Sequence, residues 1–189
     1  QVGVIKELLC TNRSTKERVE GYTKLYTEIL KITGKQQVIA DLGAGLNPIS
    51  YIYLGYTPKY IGYDIDLEEK KICNEFFNIL GINGKSIVLD CSNLKNLEEV
   101  NKQNPDIAFM FKFIDPIEKA NGKGHKLSEE IINQLNAKLI VISFATKTLS
   151  GRKMRYAKRG WFERMLNRLE FKWQVIELDN EIFYVIRKI

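Results

Sequence analysis

The chain has 189 residues, 44% apolar and 28% charged, enough for one domain with its own core and too ordinary for a disordered or collagen-like chain. Its net charge is +6, from 29 basic and 23 acidic side chains. The most apolar stretch, residues 139–145 with Ser143 inside it, is too short to cross a bilayer, and Lys6 and Glu7 break up the apolar start, so neither a membrane span nor a secretion signal is expected.

In chain order, Val19, Tyr22, Leu25, Tyr26, Ile29 and Leu30 recur at helical spacing, and Gly34 closes the run. Ser14-Thr15-Lys16-Glu17 has the form of a capping box ahead of it. Residues 1–36 read as a short helical segment and residues 37–189 as the main domain. Residues 38–42 form the first strand, ending in Gly43-Ala44-Gly45. Residues 60–64, 86–90, 106–111 and 139–144 are four more, with helical patterns between them, such as residues 67–80 before Gly81. Strands apolar on both faces that alternate with helices imply a parallel sheet covered on both sides. Residues 171–178 and 182–186 are joined too briefly for a parallel crossover and predict an antiparallel hairpin. The expected fold is α/β: a Rossmann-like methyltransferase layout, with a mostly parallel seven-stranded sheet finished by that hairpin.

Cysteines Cys10, Cys73 and Cys91 are far apart and odd in number, and His125 is the only histidine. A disulfide framework and a zinc site are therefore not expected, no metal is expected, and the chain reads as cytoplasmic.

Open α/β sheets bind ligands at the carboxyl ends of their strands. The first strand runs into Asp41-Leu42-Gly43-Ala44-Gly45-Leu46-Asn47-Pro48, where glycines let a ligand approach the backbone. The second ends in Asp64, followed by Ile65; a carboxylate there accepts the hydroxyls of a ribose. The third ends in Asp90, able to accept a hydrogen from an adenine amino group, and Cys91 offers the ring a backbone N–H. A dinucleotide fits poorly, because Pro48 stands at the third glycine of G-x-G-x-x-G and has no N–H for a pyrophosphate. S-adenosylmethionine has the ribose and adenine without the phosphates, and Arg18 can clamp its carboxylate bidentately. A solvated helix-face charge is the other reading of Arg18, and ordinary turn residues that of Asp64 and Asp90.

Charge is concentrated near the end: nine basic residues against two acids between Lys147 and Lys172. Arg152, Lys153, Arg155, Lys158 and Arg159, interleaved with Tyr156 and Trp161, suit RNA; a solvated basic helix face is the alternative.

Several segments resemble the aminoglycoside-resistance 16S ribosomal RNA (guanine-N7) methyltransferases: Ser14-Thr15-Lys16-Glu17-Arg18, the turn from Asp41 to Pro48, and Tyr63-Asp64-Ile65-Asp66. Phe109-Met110-Phe111-Lys112 is similar to that family's apolar-apolar-Lys motif. Ser143-Phe144-Ala145-Thr146-Lys147-Thr148-Leu149-Ser150-Gly151-Arg152 is similar to its Ser-Phe-Pro-(x)-Lys/Arg-Ser-Leu-(x)-Gly motif, and Trp161-Phe162-Glu163 follows as in the family. Three departures stand out. Ala145 replaces a proline, Asp115-Pro116 replaces a Leu-Pro pair, and only about 35 residues precede the first strand, where the family has a large helical extension. A different RNA or an incomplete chain is therefore an open alternative.

The resemblance implies an S-adenosylmethionine site formed by Arg18, Asp41, Gly43, Ala44, Gly45, Asp64, Ile65, Asp90 and Cys91. It implies that Lys112, Phe113, Ser143, Phe144 and Lys147 border the target guanine. N7 of guanine carries a lone pair and no proton, so its methylation needs alignment and no general base. The stretch Lys112-Phe113-Ile114-Asp115-Pro116 lacks the double proline of amino-group methylases, and no cysteine stands at strand four or five to attack a pyrimidine carbon. Lys112 is expected to touch a phosphate or guanine O6, and Phe113, Phe144, Tyr156 and Trp161 to stack on an extruded base. The expected function is methylation of a guanine N7 in small-subunit ribosomal RNA, with ribosomal RNA or the small ribosomal subunit as partner; the family it resembles is associated with antibiotic resistance. Another RNA such as tRNA, or a non-catalytic RNA-binding module of this fold, is the alternative.

Overall fold

The computed structural model describes residues 2–122, 124–148, 151–154 and 158–189. Seven strands form one sheet in the order β3-β2-β1-β4-β5-β7-β6. β1 (Val38–Leu42), β2 (Lys59–Asp64), β3 (Gly84–Val88), β4 (Ile107–Phe111) and β5 (Leu139–Ala145) run parallel. β7 (Glu181–Arg187) lies antiparallel between β5 and β6 (Lys172–Leu178), the expected hairpin. β4 is buried along its whole length, as a strand covered on both faces must be.

Alternating side chains of each strand supply two cores. Ile39, Tyr60, Phe109 and Val141 point to one side and pack with α1 (Val2–Leu9), α3 (Tyr22–Thr33) and α4 (Leu67–Leu80) through Leu9, Leu25, Tyr26 and Phe77. Ala40, Ile61, Met110 and Ile142 point to the other and pack with α5 (Leu97–Asn101), α7 (Lys126–Gln134) and α8 (Gly160–Arg168) through Val100, Ile131 and Phe162. α6 (Ile114–Asn121) joins this second core through Ile114. The N-terminal helices thus share a core with the sheet.

Two local expectations shift. Ser14 and Glu17 do not cap the first long helix. A separate short helix, α2 (Arg13–Lys16), is capped by Asn12, whose side chain accepts from the Ser14 N–H, and α3 begins only at Tyr22. The Ser14 hydroxyl instead accepts from Arg18, and the Glu17 carboxylate faces Lys112. β3 ends at Val88, two residues early, because it is an edge strand and its only neighbour, β2, ends at Asp64 opposite Val88. The Leu89 N–H still reaches the Asp64 carbonyl at 2.9 Å, which leaves Asp90 beyond the ladder at the same sheet edge.

Candidate active site

β1 and β4 are neighbours at the point where strand order reverses, the position at which open α/β sheets hold ligands. The turn after β1 needs its glycines. Gly43 and Gly45 have φ of +66° and +49°, and a Cβ on Gly43 would lie 2.5 Å from the Phe113 ring. The turn is stitched to β2: the Ala44 N–H donates to the Tyr63 carbonyl at 3.0 Å and the Gly45 N–H to Asp64 Oδ2 at 2.8 Å. A 3-10 helix, Asn47–Tyr53, follows. Asp41 braces the turn from below. It is buried and accepts from Asn47 Nδ2 (2.9 Å) and the Tyr60 hydroxyl (2.6 Å), while its Oδ1 has no hydrogen-bond partner among the described residues. Burial pushes its carboxyl up to about 6 against the pull of those two donors. Asp41 is not part of the cavity wall.

Above the turn lies a cavity of about 400 Å³, within the range of small-molecule sites. One wall is residues 12–15 with Glu17 and Arg18; the other is residues 43–47 with Asp64 and Glu69. Phe111 and Lys112 stand at the end of β4, and Ala145, Lys147 and Thr148 at the end of β5.

A buried ion network sits at this cavity, centred on Glu181, the first residue of β7. Arg18 Nε donates to Glu181 Oε2 at 2.8 Å, Lys112 Nζ lies 3.5 Å from the same oxygen, and the Ser143 hydroxyl donates to Oε1. Arg18 also reaches Asn47 Oδ1 (3.1 Å), the Tyr22 hydroxyl (3.4 Å) and the Ser14 hydroxyl (2.7 Å), and lies over the Phe111 ring. Burial opposes its charge, but Glu181 more than offsets this, so Arg18 titrates above the ordinary guanidinium value. Lys112 Nζ donates to Glu17 Oε2 at 2.5 Å. Burial alone would raise the Glu17 carboxyl; the bond and charge of Lys112 hold it below the usual range. Lys112 adopts a left-handed backbone, φ +55°, held by bonds from its N–H to the Ser143 carbonyl (3.2 Å) and hydroxyl (2.9 Å).

The structure brings Arg18, Gly43, Ala44, Gly45, Asp64, Lys112 and Lys147 to one cavity. Ser143 lies behind it, buried beneath Lys112. Phe113 is half-buried against Gly43. Ile65 is exposed at the end of β2. Asp90 and Cys91 lie outside the cavity wall. Asp90 accepts from the Ser92 N–H and hydroxyl, and Cys91 is buried, its thiol pushed up by burial.

Phe144 departs from its expected stacking role. It is fully buried, edge-on to Trp161, Phe162 and Tyr184. Trp161 is likewise engaged, stacked on His125 with centroids 3.6 Å apart and planes 8° from parallel. Arg159 points inward rather than to solvent. It donates to Asp115 Oδ2 (2.9 Å) and the Ala145 carbonyl (3.1 Å) and lies over the Phe144 ring. Lys147 pairs with Lys153 in an antiparallel bridge that folds the loop back, leaving Arg152, Lys153 and Lys158 exposed. Arg155 and Tyr156 lie outside the described residues, as do Leu149 and Ser150. Among the described residues no group of three or more His, Cys, Asp or Glu could hold a metal ion, and no helix is long and apolar enough to cross a membrane.

Sequence reading missed Glu181, Glu17 and Glu69. A signal existed for Glu181, an acid opening a strand otherwise buried and apolar from Ile182 to Ile186. Glu17 stands inside a capping pattern in the sequence, and Glu69 lies within the helical pattern of residues 67–80, where nothing local marks it.

Known proteins agree with this geometry. A model of the family described as ribosomal RNA methyltransferase (FmrO) matches residues 2–185. The 16S rRNA (guanine(1405)-N(7))-methyltransferase of Micromonospora rosea is 27% identical over 190 residues, covering 97% of this chain and 65% of the relative. The Proteus mirabilis protein of the same description is 28% identical over 194 residues, with coverages of 97% and 65%. The chain therefore spans just under two thirds of the length of these curated relatives. Among solved structures, the 16S rRNA methylase ArmA superposes with a TM-score of 0.78 at 25% identity, covering 98% of this chain and 91% of that one. The 16S rRNA methyltransferase RmtF, in complex with S-adenosyl-L-homocysteine, gives 0.80 at 27% identity, with coverages of 98% and 68%. Agreement that runs from the first helix into the last strand makes the assignment direct: the chain belongs to the ribosomal RNA methyltransferase (FmrO) family.

Proposed function

We propose that the chain is an S-adenosylmethionine-dependent methyltransferase acting on N7 of a guanine in small-subunit ribosomal RNA, in the cytoplasm. One observation carries this reading. A single cavity at the switch point joins the glycine turn and Asp64, suited to a nucleoside, to Lys112 and Lys147, suited to an RNA target. The relatives named for that reaction and the RmtF complex support it.

S-adenosylmethionine supplies an electrophilic methyl group on a sulfonium. Asp64 would hold the ribose, and Ile65, Asp90 and Cys91, where β2 and β3 exit, would take the adenine. Arg18 faces the donor carboxylate. Its Nε and Nη1 are already engaged inside the protein and one Nη2 hydrogen goes to the Ser14 hydroxyl, so this contact falls to the other Nη2 hydrogen and is a single point rather than a bidentate clamp. The target nitrogen needs no deprotonation, so the protein's contribution is alignment and exclusion of water. Lys112 and Lys147 hold the guanine O6 or its phosphate. Stacking on the base falls to Phe113 or Tyr156, since the rings of Phe144 and Trp161 are engaged elsewhere.

The test is transfer of labelled methyl to isolated small ribosomal subunits and, in parallel, to tRNA, with the modified nucleotide mapped by cleavage at 7-methylguanine. Label at a guanine N7 of the subunit RNA is expected. Label confined to tRNA overturns the substrate, and no transfer to either overturns the activity.

A further inference from the structure

Two carboxylates, not one, stand at the ribose end of the cavity. Glu69 is in the first turn of α4, where Asp66 caps the helix by accepting from the Glu68 and Glu69 N–H groups. Its Oε1 accepts from Asn12 Nδ2 at 2.6 Å, a link from α4 to the cap of α2. A Cβ on Gly45 would lie 3.0 Å from Glu69 Oε2 and 3.7 Å from Asn12 Nδ2, so this link passes over the glycine turn. Asp64 uses both oxygens on the backbone, Oδ2 for the Gly45 N–H and Oδ1 for the Asp66 N–H. Of the four carboxylate oxygens, only Glu69 Oε2 accepts no hydrogen bond from the described residues.

A ribose diol brings two O–H donors on adjacent carbons, and both must find acceptors once water is displaced. We propose that Glu69 is a second ribose-binding residue, accepting one hydroxyl of the methyl donor while Asp64 accepts the other. The assignment rests on the reading of this cavity as an S-adenosylmethionine site. The local electrostatics agree. Burial raises the Glu69 carboxyl above the ordinary range; the Asn12 bond opposes this, and Asp64 and Asp66 add to it. A hydroxyl donor at Oε2 relieves that strain on the charged form. Because Glu69 also holds Asn12, occupancy of the ribose subsite is tied to the cavity wall built by residues 12–15.

The test is isothermal titration of the intact protein, and of Glu69→Ala and Asn12→Ala, with S-adenosylhomocysteine and its 2′,3′-dideoxy analogue. Glu69→Ala breaks the Asn12 link as well, so it is expected to weaken the dideoxy analogue only by the Asn12→Ala factor and S-adenosylhomocysteine by about ten-fold more than that. Asn12→Ala is expected to shift both ligands by the same factor. Equal losses for both ligands on Glu69→Ala, or no loss for either, overturn the ribose assignment. If the unsubstituted protein does not bind S-adenosylhomocysteine, the reading of the cavity itself falls, a result distinct from the other two.

Discussion

Asp41 carries a pH signature of its own. Its carboxyl titrates near 6 in the folded chain, above its value when unfolded. The folded state therefore holds this proton more tightly, and the stability gained is fully present below about pH 4 and lost as the pH rises through 6. The size is on the order of 3 kcal/mol. Asp41→Asn keeps the shape and removes the titration, so urea midpoints should show the variant gaining on the unsubstituted protein from pH 4 to pH 7. Parallel curves over that span would remove Asp41 as the source. Glu181 is the opposite case, a charge that must stay. Glu181→Ala leaves Arg18 buried without its carboxylate and should cost about 3–5 kcal/mol in urea unfolding. Glu181→Gln, which removes the charge but keeps an acceptor for Arg18, should cost part of this; a Gln variant as stable as the unsubstituted protein would show that charge is irrelevant there. The two residues differ in how far the sequence revealed them. Asp41 belongs to a continuous motif, whereas Glu181 meets Arg18 across 163 positions, and nothing local announces such a partner.

Elements were legible where periodicity and punctuation agree. β1 and α4 fall at the expected residues because an apolar run meets a glycine turn in one case, and an Asp cap precedes and a glycine follows in the other. β3 slipped because its end is set by the length of its neighbour, which no local pattern encodes. The segment after β5 read as a uniform basic stripe, but the structure divides it. Arg159 anchors the loop to α6 and β5, while Arg152 and Lys153 stay exposed. Charge reversal at Arg152 and Lys153 should therefore weaken RNA binding and flatten its salt dependence, whereas Arg159→Ala should lower activity with the salt slope intact. Identical slopes for the two variants would erase that division. The glycine turn is equally specific. Gly43→Ala places a methyl at φ +66° against the Phe113 ring and should weaken S-adenosylhomocysteine binding by at least about ten-fold, with a stability loss of roughly 1–2 kcal/mol. Unaltered affinity would mean that the turn does not shape the site.

At the scale of the molecule, the mostly parallel sheet and its antiparallel hairpin were legible because alternation of strands and helices leaves few topologies open, whereas the strand order, with β7 inserted between β5 and β6, is set by packing across the whole sheet. The site was legible only in part. Strand-end residues such as Asp64 could be named from the sequence, but the second wall of the cavity, residues 12–15 with Glu17 and Arg18, is built by a segment that read as a helix start. That wall is held by Glu181 on β7, the strand that completes the sheet between β5 and β6.

During synthesis, then, most of the pocket's residues leave the ribosome long before the pocket can exist. Arg18 leaves the ribosome 163 residues ahead of the carboxylate that neutralises it. A chain stalled or clipped ahead of the hairpin would keep the glycine turn yet lack the carboxylate that holds the opposite wall, so the pocket closes late and all at once.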